Sequence, residues 1–169
     1  MTTTSGKELL IVFDPEKCTQ CAGCVTACKT WRELPFGVNY RRILNFWRGF
    51  FPTIKNTSLS LSCLHCIHPA CAAACPEEAI IKQADDGLVV VDSALCTGCR
   101  LCAEACQYGV PQFGVNDSME KCDLCPSLLE NQIAPPCVET CPGKALTLIS
   151  TSSSEKLLYE KQIIQALSI

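Results

Sequence analysis

Sixteen cysteines fall into four clustered sets along the 169 residues, with none left over. The sets are Cys18, Cys21, Cys24 and Cys28; Cys63, Cys66, Cys71 and Cys75; Cys96, Cys99, Cys102 and Cys106; and Cys122, Cys125, Cys137 and Cys141. The first and third read C-x2-C-x2-C-x3-C, the second C-x2-C-x4-C-x3-C and the fourth C-x2-C-x11-C-x3-C. Four sets of four thiolates are ligands for four [4Fe–4S] cubanes. The chain must therefore curl its loops around clusters, and its chemistry is that of an electron carrier.

Two other uses of cysteine fit less well. Disulfide scaffolds are mostly short secreted chains that bridge distant loops, whereas these cysteines come two residues apart in runs. A tetrahedral zinc ion takes two C-x2-C pairs and has no need of the C-x2-C-x2-C triplets. A cubane does need them, because one loop must offer three thiolates to three irons. The fourth cysteine, three residues on, points elsewhere, and in two-cluster ferredoxins it ligates the other cluster. The motifs are thus expected to work in reciprocal pairs, although spacing alone leaves open which motifs pair.

A net charge of −3 gives no basic footprint for nucleic acid. The apolar fraction of 48% is swollen by cysteine, so the conventional core is thin. Metal ligation is expected to contribute much of the folding free energy. The apolar run Leu9 to Phe13 is too short for a signal-peptide core and has no basic leader. Arg41-Arg42 follows the first cysteine motif, which excludes an N-terminal twin-arginine export signal. No stretch reaches the length of a membrane span. A soluble chain in a reducing cytoplasm is expected, with export on a signal-bearing partner as the alternative.

Laying Leu10–Cys28 on Leu88–Cys106, an offset of 78 residues, reveals a repeat. Ile11-Val12-Phe13-Asp14 matches Val89-Val90-Val91-Asp92, Cys18-Thr19 matches Cys96-Thr97, and Ala27-Cys28 matches Ala105-Cys106. Pro69-Ala70-Cys71 through Cys75-Pro76 likewise resembles Pro135-Pro136-Cys137 through Cys141-Pro142. The expected class is α+β: a duplicated two-cluster bacterial ferredoxin-like fold, with short strands and helices around four cubanes. Residues 1–150 would form this double domain as two interleaved lobes. Ile80–Lys82 and Leu88–Val91 read as a hairpin across Asp85-Asp86-Gly87. Helices are expected as a turn or two after each C-x3-C, with Pro76 and Pro142 redirecting the chain.

Two segments depart from the repeat. Residues 31–62 hold seven of the eleven aromatics: Trp31, Phe36, Tyr40, Phe46, Trp47, Phe50 and Phe51. They fit either a satellite core that shields a cluster or a docking surface. Residues 151–169 read as a linker and a C-terminal amphipathic helix. Ser150 to Ser154 supply the linker, Ser152 and Glu155 a capping box. Leu157, Ile164 and Leu167, with Leu158 and Ile163, form an apolar stripe.

His65 and His68 lie inside the second motif. With four thiolates per cluster already available, they read as outer hydrogen-bond donors or exposed groups. Arg100, Lys121 and Lys29 flank ligating cysteines, where their charge would raise nearby potentials; Lys29 reads rather as a solvated residue. No nucleophile–base pair, phosphate loop or dinucleotide fingerprint is present, and no catalysis by this chain alone is expected.

Over about residues 8 to 150 the chain resembles the four-cluster, ferredoxin-like iron–sulfur subunits of the dimethyl sulfoxide reductase type. The resemblance rests on Cys18-Thr19-Gln20-Cys21 through Ala27-Cys28-Lys29, then Gly37-Val38-Asn39-Tyr40-Arg41-Arg42. It continues through Cys63 to Cys66 with Pro69-Ala70-Cys71, and Asp86-Gly87-Leu88-Val89-Val90-Val91-Asp92. Cys96 through Gly98-Cys99-Arg100, Tyr108-Gly109 and Lys121-Cys122-Asp123-Leu124-Cys125 complete it. It implies that the middle two motifs pair and the outer two pair. One cluster would then sit on Cys63, Cys66, Cys71 and Cys106, and another on Cys96, Cys99, Cys102 and Cys75. A third would take Cys18, Cys21, Cys24 and Cys141, and a fourth Cys122, Cys125, Cys137 and Cys28. It further implies a non-catalytic relay between a molybdenum or tungsten pterin catalytic subunit and a second redox partner, such as a flavoprotein, a ferredoxin or a hydrogenase-like protein. The short, unanchored build is similar to the small subunit of tungsten aldehyde oxidoreductases, which is the setting favoured here. A formate, carbon monoxide or dimethyl sulfoxide-type complex and a free diffusible polyferredoxin are the alternatives. A two-ended carrier could also stack on further copies of itself.

Overall fold

The computed structural model describes residues 8–168; residues 1–7 and Ile169, which the expected domain bounds include, lie outside the described residues. The elements run β1 (Glu8–Phe13), α1 (Gly23–Trp31), β2 (Arg42–Arg48), β3 (Lys55–Leu61), α2 (Ala70–Ala73), β4 (Ile80–Lys82), β5 (Val89–Val91), α3 (Leu101–Ala105), β6 (Gln112–Phe113), β7 (Met119–Glu120), α4 (Pro126–Leu129), α5 (Pro136–Glu139), β8 (Leu146–Thr151) and α6 (Ser153–Leu167). The mixture of short helices and short strands is an α+β, ferredoxin-like arrangement. The strands form four two-stranded antiparallel sheets.

Strand β4 pairs with β5 as the turn at Asp85-Asp86-Gly87 requires, with Ile80 opposite Val91 and Lys82 opposite Val89. The pairing of β1 with β8 has the same register. Leu146 lies opposite Phe13 and Leu148 opposite Ile11, the residues that the repeat equates with Ile80, Val91, Lys82 and Val89. The β2–β3 hairpin ends at Leu61, two residues before Cys63, just as the β6–β7 hairpin ends at Glu120, two residues before Cys122. The aromatic segment, expected to stand outside the repeat, is thus an elongated counterpart of a short hairpin.

The helices differ from expectation in placement. They do not follow each C-x3-C but form it: Cys24 and Cys28 both lie in α1, α3 holds Cys102 and stops just before Cys106, and α2 and α5 begin just ahead of Cys71 and Cys137. Three intervening residues make one helical turn, so each helix sets two thiols a turn apart. Left-handed residues precede two of these helices, Ala22 before α1 and Arg100 before α3. They curl the preceding C-x2-C loop back on itself.

Apolar side chains and cysteines share the interior. Ile11, Leu88, Leu124 and Leu146 pack with Cys24, Cys122 and Cys137. Leu10, Leu59, Leu61, Leu64 and Tyr108 pack with Ile163 of α6. The expected linker at 150–154 is instead the end of β8 and the first turn of α6, fixed by the reciprocal Ser152–Glu155 capping box. The face of α6 turned inward also differs from the apolar stripe. Leu158 is exposed, whereas Lys156, Glu160 and Ile163 are buried. The polar pair can be buried because each finds a partner. Lys156 Nζ donates to Glu8 Oε2 at 2.9 Å and to the Leu9 carbonyl at 3.1 Å, and Glu160 Oε1 accepts from the Ile67 N–H at 2.8 Å.

Candidate iron–sulfur sites

Three cavities each carry four cysteines on their walls. Cys63, Cys66, Cys71 and Cys106 border one, together with Tyr108, Val89 and Lys121. Cys75, Cys96, Cys99 and Cys102 border a second. Cys18, Cys21, Cys24 and Cys141 border a third. In every case three cysteines come from one motif and the fourth from another. The remaining four cysteines are brought together as well. Burial and the nearby Cys122, Cys137 and Cys125 push the Cys28 thiol up to about 12. The four groups are the Cys18, Cys122, Cys63 and Cys96 quartets, each after the leading cysteine of the motif that supplies three of its members.

The donor set fits a cluster. Burial, then neighbouring acidic groups and thiols, push Cys66 and Cys125 up to about 12. Four desolvated thiols held this close resist ionisation unless a cation compensates, and bound iron does so. Backbone amides already aim at the sulfurs: the N–H groups of Gln20, His65, Met119 and Ala145 point at Cys18, Cys63, Cys96 and Cys141 Sγ at 3.2–3.4 Å. At three of the quartets the cysteines border a cavity, as a cubane needs.

Neighbouring quartets adjoin. Cys24 packs in one group with Cys122 and Cys137, and Cys63 lies against that group. Cys71 lies against the group that holds Cys102. Contacts therefore run from the Cys18 quartet through Cys122 and Cys63 to Cys96. Cys21 and Cys99 are exposed, and they belong to the two outer quartets.

The charged residues singled out from the sequence take different places. His65 is buried, its Nδ1 accepts from the Val89 N–H at 2.9 Å, and burial holds it neutral. His68 is exposed. Lys121 is buried and donates to the carbonyls of Val89 and Cys122. Lys29 is not a solvated residue: its ammonium is held by the Pro35 and Val38 carbonyls at 2.7 and 2.9 Å. Arg100 pairs with Asp117 at 2.6 Å and lies over the Phe113 ring at 4.8 Å, both toward solvent. Of the seven aromatics in 31–62, only Tyr40 and Phe46 are partly buried; Trp31, Phe36, Trp47, Phe50 and Phe51 are exposed. A shielding core does not account for those five.

Sequence reasoning missed Arg41, Lys156 and Glu160. Arg41 is buried beside two quartets, and its only sequence signal was an arginine pair.

Residues 54–151 match the 4Fe-4S dicluster domain family, and residues 10–37 match a 4Fe-4S binding domain. A Haemophilus influenzae protein named as a component of anaerobic dimethyl sulfoxide reductase is 40% identical over 144 residues, covering 79% of this chain and 70% of that protein. The chain belongs to the dimethyl sulfoxide reductase-type iron–sulfur subunits. Its two matched domains and sixteen cysteines carry four [4Fe–4S] clusters. The formate dehydrogenase iron-sulfur subunit of Wolinella succinogenes is 35% identical over 175 residues, covering 90% of this chain and 86% of that protein. A sulfite dehydrogenase subunit of Allochromatium vinosum is 34% identical over 160 residues, covering 82% and 67%. These family members give no support to the tungsten aldehyde oxidoreductase setting.

Proposed function

We propose that this family member is the electron-transfer subunit of a molybdopterin oxidoreductase complex, with the four quartets as its ligand sets and a duplicated two-cluster ferredoxin as its frame. The clusters, when bound, supply one-electron transfer at each position. The chain supplies the rest: it holds them in a row, screens the inner two from water and presents Cys21 and Cys99 at the two ends. The observation that carries this reading is the exchange of one cysteine between paired motifs at every quartet. The identical registers of β1–β8 and β4–β5 support the duplication.

The relatives are named for dimethyl sulfoxide reductase, sulfite dehydrogenase and formate dehydrogenase. A catalytic pterin subunit of that kind is the partner proposed at one end, with a second redox protein at the other. Among the described residues, no helix is long and apolar enough to cross a membrane.

The β2–β3 hairpin offers the docking surface. Its exposed Trp47, Phe50, Phe51 and Ile54 stand among Arg48 and Lys55, and no acidic residue occurs between Glu33 and Glu77. Asn56, next to its turn and opposite Trp47, donates to Gln20 Oε1 at 2.8 Å, which places the hairpin beside exposed Cys21. This surface favours a complex over a free polyferredoxin. Phe50→Ser with Phe51→Ser is expected to abolish co-purification with the pterin subunit while keeping four clusters.

Cys141→Ser tests the ligand sets. It should abolish or convert the cluster held by Cys18, Cys21 and Cys24, leaving the one held by its sequence neighbours Cys122, Cys125 and Cys137. Electron paramagnetic resonance of the reduced protein reads the outcome. Loss of the Cys122 cluster instead would refute the exchange.

A further inference from the structure

Arg41 precedes β2, and its side chain is 2% exposed. Nη1 donates to Ser60 Oγ at 3.0 Å and Nη2 to Ser62 Oγ at 2.8 Å. Ser60 Oγ in turn stands 3.7 Å from Cys24 Sγ. The ionisable groups that act most strongly on the buried guanidinium are thiols: Cys137 and Cys122 first, then Cys24 and Cys28. Cys24 belongs to the Cys18 quartet and the other three to the Cys122 quartet.

Among the described residues, no carboxylate pairs with Arg41. Two serine hydroxyls satisfy part of its donor fork but none of its charge. Arginine cannot shed that charge in a protein, and a buried unpaired cation is costly. The compensating anions are then the thiolates of two different quartets. The other inward-turned cations among the described residues are placed differently. Lys156 and Lys82 share the Glu8 carboxylate, Arg32 pairs with Asp123, and Lys121 donates to the carbonyls of Val89 and Cys122.

We propose that Arg41 is a shared counter-ion for the two clusters of the Cys18 and Cys122 quartets, holding both at a higher reduction potential than they would otherwise have. Reduction adds one electron and hence one negative charge to a cluster, with no bond made and no proton moved. A fixed positive charge stabilises the added electron, and its effect is largest at low local dielectric. Because one guanidinium serves two sites, reduction of either cluster draws on the same charge. Ser60 and Ser62 fix the fork between them, which makes this a positioning role that a lysine, with a single ammonium, reproduces only in part. No cysteine of the Cys63 or Cys96 quartet is among the groups that act most strongly on the guanidinium.

The inference rests on the ligand sets proposed above, so Cys141→Ser serves as the assigning control. The test is a redox titration of the intact protein, followed by electron paramagnetic resonance, in wild type, Arg41→Gln and Arg41→Lys. In Arg41→Gln two midpoint potentials should move to more negative values, one of them belonging to the signal that Cys141→Ser removes. The other two should stay. In Arg41→Lys the same two should move less. If Arg41→Gln does not load fully, loss confined to those two clusters, with recovery in Arg41→Lys, supports the same conclusion. Four unchanged potentials, a common shift of all four, or an equal loss of all four would overturn it. A Cys141→Ser variant that leaves every signal intact would instead overturn the ligand sets.

Discussion

One methyl group should be enough to uncouple the first and last cysteine motifs. A Cβ on Gly143 would lie 2.1 Å from the Lys17 carbonyl oxygen and 3.3 Å from its carbon. Both sides of this contact are backbone, so no rotamer can relieve it, and the two segments must part by roughly 1 Å. Lys17 adjoins Cys18, and Gly143 lies two residues after Cys141, so the parting opens the Cys18 quartet. Overpacking of this kind costs about 1–3 kcal/mol, which corresponds to about 5- to 150-fold weaker retention of that one cluster. Gly23→Ala is the matched control. A Cβ there would meet Cys21 Sγ at 3.5 Å and Thr140 Cγ2 at 3.6 Å, ordinary contacts in the same quartet. Anaerobic purification, iron analysis and the spectrum of the reduced protein read both variants. Gly143→Ala should lose one signal under chelator challenge while Gly23→Ala keeps four. Equal retention in the two would refute the steric reasoning.

Other perturbations probe the C-terminal helix and the metal. Lys156→Met removes two hydrogen bonds from a side chain with no solvent exposure. Breaking a buried ion pair costs about 3–5 kcal/mol, but Lys82 remains on Glu8 at 2.9 Å. A cost of about 2 kcal/mol, read as roughly 30-fold faster amide exchange in α6, is expected; unchanged exchange would contradict it. Burial pushes the Glu8 carboxyl up, and hydrogen bonds from Lys156 and Lys82 more than offset it, leaving it below its ordinary value. Its contribution is therefore complete above the unfolded value of about 4.3 and fades as pH falls through the lower folded value. Exchange in α6, corrected for intrinsic rate, should be flat from about pH 8 to 5, and loss of protection in that window would refute the assignment. Stripping the iron should abolish the native circular dichroism, and a retained spectrum would show that the thin apolar core suffices alone.

The cysteine pattern and the β4–β5 hairpin were legible because their information is local: fixed spacings and a Gly-containing turn. The pairing of β1 with β8 was only implicit. The repeat equates it with β4–β5, yet the two strands lie at opposite ends of the sequence. The inward face of α6 was misjudged because apolar periodicity cannot register a buried Lys156 or Glu160, whose burial depends on Glu8 and the Ile67 amide. Arg41 was invisible for the same reason. Nothing in a Tyr-Arg-Arg run announces that one guanidinium turns inward to two serines and four thiols. The aromatic hairpin could be located but not sided, since exposure of Phe50 and Phe51 is decided by what the tip fails to touch.

The sheet made by β1 and β8 bears on how the protein is made. During synthesis β1 emerges early and stays without a partner until β8 follows, and Cys18, Cys21 and Cys24 wait as long for Cys141. The Cys63 and Cys96 quartets, in contrast, are complete once Cys106 has emerged. Metal loading should therefore begin in the middle of the chain and end with its first motif, so that a ribosome stalled between Cys106 and Cys122 would hold two finished sites and four stranded thiols, Cys28 among them.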